Sequence, residues 1–231
     1  MTCSTMPTGD SQDSDLRGIL LEAAGALGII LTERELALFA IYSRELITWN
    51  RIVSLVAVKS PLDLPIKHFI DSLTALPLLP REGRRLLDIG TGAGFPGLPL
   101  KIIRPDLDLH LLEASRKKVS FLKELIRKLG LPGVTIIHER VEQVMEKALL
   151  HETFDCVISR AAFNMPGLLD MGRHFLRPGG LLVAMRGPRE EGANPNTGHL
   201  VDIKGIIIDK VVDFRLPVTG VSRKIILYKK L

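Results

Sequence analysis

The chain has 231 residues, 46% of them hydrophobic and 25% charged, which suits one α/β domain with an appendage rather than two full domains. Its formal net charge of +5 permits binding to a polyanion such as RNA. The two cysteines, Cys3 and Cys156, lie far apart and form no C-x-x-C pair, which speaks against a disulfide framework and a zinc site.

Residues 1–14 are polar, and we expect them to form a disordered tail. No positively charged start leads into an apolar core, so no signal peptide is expected. No apolar run approaches the roughly eighteen residues of a membrane span. These features predict a cytoplasmic protein that does not contact a membrane.

Residues 15–83 carry three helical patterns and are predicted to form an N-terminal helical extension. The first pattern runs over residues 16–28. The spacing of Thr32 and Glu35 is that of a capping box and predicts a second helix that ends near Trp49. A third helix is predicted after Pro65 and ends near residue 76.

Residues 84–231 alternate between short apolar runs and helical patterns, which predicts a mostly parallel sheet with helices on both faces. Strands are predicted at 86–89, 107–112, 134–138, 154–159, 181–186, 206–216 and 224–228, and helices at 97–103, 115–129, 141–149 and 166–176. The last two strands are expected to pair as an antiparallel edge. Residues 177–180 read as a sharp turn and residues 187–200 as a flexible loop.

A glycine-rich segment over residues 88–97 directly follows the first predicted strand. Glycines have no Cβ, so this backbone can adopt positive φ and approach a ligand closely, near the free N–H groups of the next helix. The order strand, tight loop, helix therefore predicts a site for a nucleotide-like cofactor.

The spacing of the glycines separates two classes of cofactor. A dinucleotide pattern G-x-G-x-x-G that starts at Gly90 fails, because Phe95 occupies the third glycine position. The pattern does fit residues 92–97, but that loop opens late and contains Pro96. The pattern acid-x-Gly-x-Gly-x-Gly, typical of S-adenosylmethionine-dependent methyltransferases, is matched by Asp88, Gly90, Gly92 and Gly94.

Three segments, residues 68–73, 88–100 and 158–161, together resemble one bacterial family, the ribosomal RNA small subunit methyltransferase G family, also called glucose-inhibited division protein B. The resemblance covers roughly residues 40–230. It implies a Rossmann-like class I methyltransferase fold with a seven-stranded sheet and S-adenosyl-L-methionine as cofactor. It also implies methylation of guanine N7 in 16S ribosomal RNA, with the rRNA or the small ribosomal subunit as partner. We expect a monomer.

The chain departs from the family pattern at several positions. Ser54–Val56 stands where relatives tend to carry Asn-Leu-Thr after the Trp-Asn pair. Lys67 replaces the usual Arg and Arg186 the usual Lys, which keeps the charge but changes the hydrogen-bonding geometry. These departures concern RNA contacts more than the reaction.

Glu113 ends the second predicted strand, where an acid can accept hydrogen bonds from both ribose hydroxyls of an adenosine cofactor. Its alternative role is that of an acid at a helix N-terminus. For Val141 and Glu142 the family match implies contacts with the adenine. The predicted cofactor-binding residues are Asp88, Gly90, Gly92, Gly94, Phe95, Glu113, Val141, Glu142 and Arg160.

Arg160 ends the fourth predicted strand and faces the crevice where ligands collect in open α/β sheets. It can hold either the methionine carboxylate or the target nucleotide. His68 is equally consistent with a structural role, and the run 116–118 with a solvated helix start. The predicted RNA-binding residues are Lys67, His68, Arg116, Lys117, Arg140 and Arg186.

The sequence also bears on the chemistry. Cys156 lies inside an apolar strand and is interpreted as a core residue. It is therefore not expected to act as the cysteine nucleophile that methylation of cytosine C5 requires. Residues 159–162 replace the Asn/Asp-Pro-Pro-aromatic turn that amine methylation commonly uses. Guanine N7 carries a lone pair and needs no general base. The Asp71 carboxylate is a candidate for stabilising the positive charge that passes from sulfur to the purine ring during transfer. No metal site is expected.

Two other functions stay open at this stage. One is a nucleotide-cofactor oxidoreductase that uses residues 92–97, although no constellation for hydride transfer follows residue 160. The other is a non-catalytic RNA-binding or ribosome-assembly factor that keeps the fold. Cofactor affinity distinguishes this second class from a methyltransferase.

Overall fold

The structure is a computed structural model that describes residues 9–81, 85–147, 150–160, 162–187 and 205–231. Apart from Gly187, the predicted flexible loop at 187–200 lies outside the described residues. Within the described ranges, no helix is both long and apolar enough to cross a membrane.

The N-terminal extension begins with two α-helices, α1 over Gly9–Ala26 and α2 over Glu33–Asn50. The predicted capping box is confirmed: Glu35 N–H donates to Thr32 Oγ1 at 3.3 Å, and Thr32 N–H donates to Glu35 Oε2 at 2.7 Å. Because α1 already begins at Gly9, residues 9–14 are helical, and the expectation that they belong to a disordered tail is wrong.

The third helical unit, α3, is a π-helical segment Asp63–Ile70 that continues into an α-helical turn Asp71–Leu73. It starts before Pro65, the predicted start. The reason is that the Asp63 carboxylate accepts the N–H groups of Lys59 and Ser60 at 2.6 and 3.0 Å, which organises the turn ahead of the proline. A short 3₁₀ segment Leu76–Leu78 follows.

The predicted seven-stranded sheet is confirmed, with the order β3-β2-β1-β4-β5-β7-β6. β7 is antiparallel to both of its neighbours, and the other paired strands are parallel. The expected antiparallel edge therefore forms from the last two strands. The strands are β1 Arg85–Ile89, β2 Asp108–Leu112, β3 Val134–Ile137, β4 Phe154–Arg160, β5 Leu176–Arg186, β6 Ile206–Arg215 and β7 Ser222–Lys230.

Helices cover both faces of the sheet and close two apolar cores. One core joins the extension to α4 and α5, and the other contains side chains of α6 and α7. Helix α6 ends three residues short of the predicted 149, and 148–149 lie outside the described residues. The helices are α4 Gly97–Ile103, α5 Arg116–Leu129, α6 Val141–Glu146 and α7 Met165–Phe175.

The predicted turn at residues 177–180 is instead part of β5. The pairing of β5 with β4 shifts register between Phe154 and Cys156, so these residues form an irregularity inside the strand. Gly179 takes the positive φ of 79° that this irregularity needs. Cys156 is confirmed as a core residue, and burial raises the pKa of its thiol.

Candidate active site

The glycine loop, residues 90–96, connects the carboxyl end of β1 to α4. Gly90, Gly92 and Gly94 have φ of +70°, +60° and +96°, which explains why glycine stands at these positions. The N–H groups of Gly90 and Thr91 donate to Leu112 O at 3.0 and 3.3 Å, so the end of β2 holds the loop. The predicted order of strand, loop and helix is confirmed.

Asp88 lies behind this loop and is fully buried. Its Oδ2 accepts from Thr91 Oγ1 at 2.6 Å and from the N–H of Gly97 at 2.9 Å, so one oxygen ties the two ends of the loop together. Its Oδ1 is buried with no hydrogen-bond partner among the described residues. Burial therefore raises the pKa of Asp88 to about 6. The arrangement favours an organising role for Asp88 over direct cofactor contact.

Glu113 joins the end of β2 to the glycine loop. Its Oε2 accepts from the N–H of Gly92 at 2.9 Å, and its Oε1 accepts from the N–H of Ser115 at 2.8 Å. An ionised carboxylate offers about four lone-pair sites, so both oxygens can still accept from a ligand hydroxyl. The loop thus fixes the orientation of the carboxylate.

A pocket of about 340 Å³ opens between the carboxyl ends of β1 and β2 and the start of α6, and we call it the strand-end pocket. A Cβ at Gly90 would lie 2.9 Å from Ala162 Cβ, so the wall at this point accepts only glycine. The predicted residues Gly90, Glu113, Arg140, Val141 and Glu142 line it, together with Lys118, Glu139, Ala162 and Phe163. The sequence prediction placed Arg140 among the RNA contacts, whereas the structure places it here.

A second pocket, of about 480 Å³, lies between α3, the end of β5 and the β6–β7 hairpin, and we call it the basic pocket. Its charged lining residues are the cations Lys59, Lys67, Arg160, Arg186, Arg223 and Lys224 and the carboxylates Asp63 and Asp71. Since cations outnumber carboxylates, the pocket favours an anionic ligand. Lys59, Arg223 and Lys224 were not predicted as site residues.

Arg160 is anchored on the wall of the basic pocket. Its Nη1 donates to Lys67 O at 3.0 Å and to Asp71 Oδ2 at 3.2 Å. Its guanidinium carbon lies 5.1 Å from the centre of the Phe95 ring, a cation–π arrangement. The planar group is therefore held in one orientation.

Asp71 is buried between two guanidinium groups, those of Arg160 and Arg223. Its Oδ1 accepts from Arg223 Nε at 2.9 Å, while its Oδ2 faces Arg160. Because both oxygens are engaged with cations, this geometry favours a positioning role for Asp71 over the predicted role of stabilising charge on the substrate.

His68 lines the basic pocket and is neutral at physiological pH. Burial, and next the charge of Arg160, lowers the pKa of His68 to about 4. Its Nδ1 lies 3.1 Å from Arg160 Nη2, which can only donate, so Nδ1 is the acceptor and the ring proton is on Nε2. The geometry supports the structural interpretation of this histidine.

Several predicted residues line neither pocket. Phe95 is 4% exposed and stacks on Tyr42, with ring centres 5.3 Å apart. Arg116 and Lys117 are exposed on the first turn of α5 and are absent from the described walls of both pockets. No group of three or more His, Cys, Asp and Glu side chains in the described ranges is arranged to hold a metal ion.

Three residues that follow closely in the chain, Arg160, Ala162 and Phe163, line the two pockets between them. Arg160 faces the basic pocket, and Phe163 lines the strand-end pocket. Arg186, in the basic pocket, donates from Nη1 to Phe163 O at 2.7 Å. Phe163 gave no signal in the sequence, because nothing in its local pattern distinguishes it from a core residue.

Comparison with known proteins gives a consistent result. The family model described as rRNA small subunit methyltransferase G matches residues 35–215. A protein of Syntrophus aciditrophicus named ribosomal RNA small subunit methyltransferase G is 42% identical over 210 residues, 90% of this chain and 87% of that relative. A relative of the same name from Acetivibrio thermocellus is 34% identical over 221 residues, 96% and 91% of the two chains.

Solved structures share the fold. A candidate O-methyltransferase from Klebsiella pneumoniae superimposes with a TM-score of 0.59 and 17% identity over 95% of this chain and 98% of that chain. A SAM-dependent methyltransferase from Aquifex aeolicus gives a TM-score of 0.53 and 20% identity over 70% and 90% of the two chains.

Proposed function

The chain belongs to the rRNA small subunit methyltransferase G family, and from this premise we propose that it transfers a methyl group from S-adenosylmethionine to N7 of a guanine in 16S ribosomal RNA. The observation that carries the proposal is that Arg160 lines a pocket suited to a polyanion while nearby Ala162 and Phe163 line a pocket suited to a nucleoside, so the two pockets are neighbours. A methyl donor and an RNA base can meet at such a boundary.

The strand-end pocket fits S-adenosylmethionine. Gly90 presents only backbone to the pocket, and any Cβ there would meet Ala162. Glu113 would accept hydrogen bonds from the ribose hydroxyls, while Val141 and Glu142 would frame the adenine. When bound, the cofactor supplies an electrophilic methyl group on a sulfonium centre.

The basic pocket would hold RNA next to this site. Lys67, Arg186, Arg223 and Lys224 belong to elements distant in sequence, so their charges surround the pocket from several sides. Phosphate contacts by such residues fix the register and orientation of a nucleic acid. Arg160 would contact either the target nucleotide or the methionine carboxylate.

Methylation of guanine N7 requires the side chains mainly to position the two reactants. Guanine N7 has an available lone pair, so no proton has to be removed before it attacks a methyl group. This suits a site in which His68 is neutral and bonded to Arg160 and Asp71 is engaged by two arginines. Arg160, Ala162 and Phe163 would align the base with the methyl group and exclude water, and such alignment lowers the barrier to methyl transfer.

For the acceptor, we propose rRNA alone or within the small ribosomal subunit, modified in the cytoplasm by a monomeric enzyme. The positive net charge of +5 supports a polyanionic acceptor. Neither an assembled subunit nor naked RNA is favoured by the size of the basic pocket.

The test uses purified protein, tritiated S-adenosylmethionine and small subunits or 16S rRNA from a strain that lacks the enzyme, with the labelled nucleoside mapped by mass spectrometry. We expect 7-methylguanosine at one 16S position. If the cofactor binds but no label appears, the rRNA assignment fails and another acceptor must be sought. If the cofactor does not bind, the assignment as a methyltransferase fails.

A further inference from the structure

Tyr42 connects the N-terminal extension to the glycine loop. It lies on α2, is fully buried, and donates a hydrogen bond from its hydroxyl to Ala93 O at 2.6 Å. The two residues are 51 positions apart in the sequence. A side chain from outside the methyltransferase fold proper therefore contacts the backbone of the predicted cofactor loop.

The contact extends over three consecutive loop residues. The Tyr42 ring is stacked on Phe95, with an interplanar angle of 6° and ring centres 5.3 Å apart. A Cβ at Gly94 would lie 2.6 Å from the Tyr42 hydroxyl, so the loop closes directly over this oxygen. The Tyr42 side chain thus bonds residue 93 and packs on residue 95, and together with Leu98, whose Cδ1 would lie 2.5 Å from the same Cβ, it excludes a side chain at residue 94.

The hydrogen bond is suited to hold the loop at neutral pH. Burial raises the pKa of the Tyr42 phenol well above its usual value, so the hydroxyl stays a donor. In the described part of the chain, Tyr42 is the partner found for the Ala93 carbonyl. Loss of the donor would leave a buried acceptor unsatisfied, a larger penalty than the net contribution of an average hydrogen bond.

The loop also supports the basic pocket through Phe95. The ring that stacks on Tyr42 has its centre 5.1 Å from the His68 ring centre and 5.1 Å from the Arg160 guanidinium carbon. A shift of Phe95 would therefore displace groups on the wall between the two pockets.

We propose that Tyr42 is a positioning residue that holds residues 93–95 of the glycine loop in the conformation that binds the cofactor. This makes the N-terminal extension part of the cofactor site. The inference rests on the proposed function, because it takes the glycine loop as a wall of the S-adenosylmethionine site.

The test is Tyr42→Phe, which removes the hydroxyl and keeps the ring stacked on Phe95. By calorimetry at 25 °C, we expect the Kd for S-adenosylmethionine to rise about tenfold, the change in affinity that loss of one buried hydrogen bond typically causes. Hydrogen–deuterium exchange without cofactor should be faster over residues 90–98. Circular dichroism should remain unchanged.

Two control variants separate positioning from general stability. Tyr228→Phe removes the hydroxyl of another buried tyrosine, in the core on the other face of the sheet. Thr32→Ala weakens α2 at its N-terminus, ten residues before Tyr42, where Thr32 Oγ1 accepts from the N–H of Glu35 at 3.3 Å. Both should keep the wild-type Kd, although Thr32→Ala lowers the melting temperature.

An unchanged Kd and unchanged loop exchange in Tyr42→Phe would overturn the proposal. A Kd raised by Thr32→Ala as much as by Tyr42→Phe would also overturn it, because the effect would then follow the stability of the extension. Loop exchange is measured without cofactor. It therefore decides the role of Tyr42 even if wild-type protein binds no S-adenosylmethionine, an outcome that contradicts the proposed function instead.

Discussion

The strand-end pocket and the basic pocket are neighbours, lined by Ala162 and Phe163 and by Arg160 respectively, but they are built in different ways. The first is organised by backbone groups that are near one another in the chain or on adjacent strands, such as the N–H groups of Gly92 and Ser115 on Glu113. The second depends on ion pairs across the chain, because Asp71 holds Arg160 and Arg223 from 89 and 152 residues away. A short motif can therefore specify a nucleoside site, whereas the polyanion site depends on contacts between residues far apart in the sequence.

The largest effect is expected from Gly90→Asp, which alters the strand-end pocket alone. The position has a φ of +70°, and its Cβ would lie 2.9 Å from Ala162 Cβ, so the side chain both strains the loop and enters the pocket. Calorimetry should detect no binding of S-adenosylmethionine, and methyl transfer should be lost.

The matched control is Gly220→Asp in the β6–β7 hairpin. Its φ of +65° is similar, but a Cβ there meets nothing within 4 Å. Its cofactor affinity should equal that of the wild type. Equal affinity of Gly90→Asp and the wild type for S-adenosylmethionine would show that the glycine loop is not part of the cofactor site.

Arg160→Ala should break the basic pocket while leaving the fold intact. It removes one of the two cations that neutralise buried Asp71, so Arg223 loses its fixed position as well. We expect kcat/KM for RNA to fall about 100-fold, the range for truncating one member of a buried charge pair. Initial rates at varied RNA concentration measure the effect.

The control for this variant is Arg127→Ala, which removes an exposed ion pair with Glu124 on α5. Its activity should stay within about twofold of the wild type, because exposed pairs contribute little. Near-normal activity of Arg160→Ala, with the control also normal, would refute the role of the basic pocket.

Asp88→Asn should change the pH dependence of stability. The pKa of Asp88 is raised to about 6 in the folded state, from 3.8 in the absence of burial. The folded protein therefore binds this proton more tightly, and the associated stability is fully present below about pH 4 and lost as pH rises through 6. From pH 4 to pH 7 the free energy of unfolding should fall by roughly 2 kcal/mol relative to the Asn variant.

Urea unfolding of both proteins at several pH values gives this difference. His68 acts in the opposite direction: its lowered pKa contributes stability above pH 6.5 that is lost as pH falls through about 4. Since both proteins contain His68, its contribution cancels. Parallel curves for the two proteins would mean that Asp88 is not held as described.

The smallest effect is expected from Arg116→Ala combined with Lys117→Ala. Both residues are exposed and outside the described walls of the two pockets. RNA affinity should change by less than about twofold. The comparison variant combines Lys59→Ala with Lys224→Ala and should bind RNA more weakly. The slope of log K against log salt concentration should fall by about one for each lysine removed, because each would lose a phosphate contact. Filter binding at several salt concentrations distinguishes them, and the reverse ranking would place the RNA along α5.

The sequence predicted the sheet and the glycine loop because their signals are local. The apolar runs of the strands and the spacing from Asp88 to Gly97 lie in continuous segments, and the structure closes that loop through Asp88 itself. The predicted start of α3 after Pro65 was wrong, because the segment already begins at Asp63, whose carboxylate accepts the N–H groups of Lys59 and Ser60 and organises the preceding turn. Residues 177–180, predicted as a turn, lie within β5, where they form the irregularity between the pairs Phe154–Leu176 and Cys156–Leu181.

The basic pocket was only partly predictable. Arg160 was identified from its place at a strand end, but Arg223 lies on β7, between β5 and β6, in a segment that has no motif. Phe95 and Tyr42 show the same limit, because their stacking is a contact between two segments that pattern analysis treats separately. Long-range pairs of this kind are fixed by packing.

The most direct test of the division between the two pockets is a crystal structure with S-adenosylhomocysteine. We predict that the adenosine lies in the strand-end pocket, with its ribose hydroxyls on Glu113 and its base beside Val141. Adenosine bound in the basic pocket, or away from the glycine loop, would contradict the account.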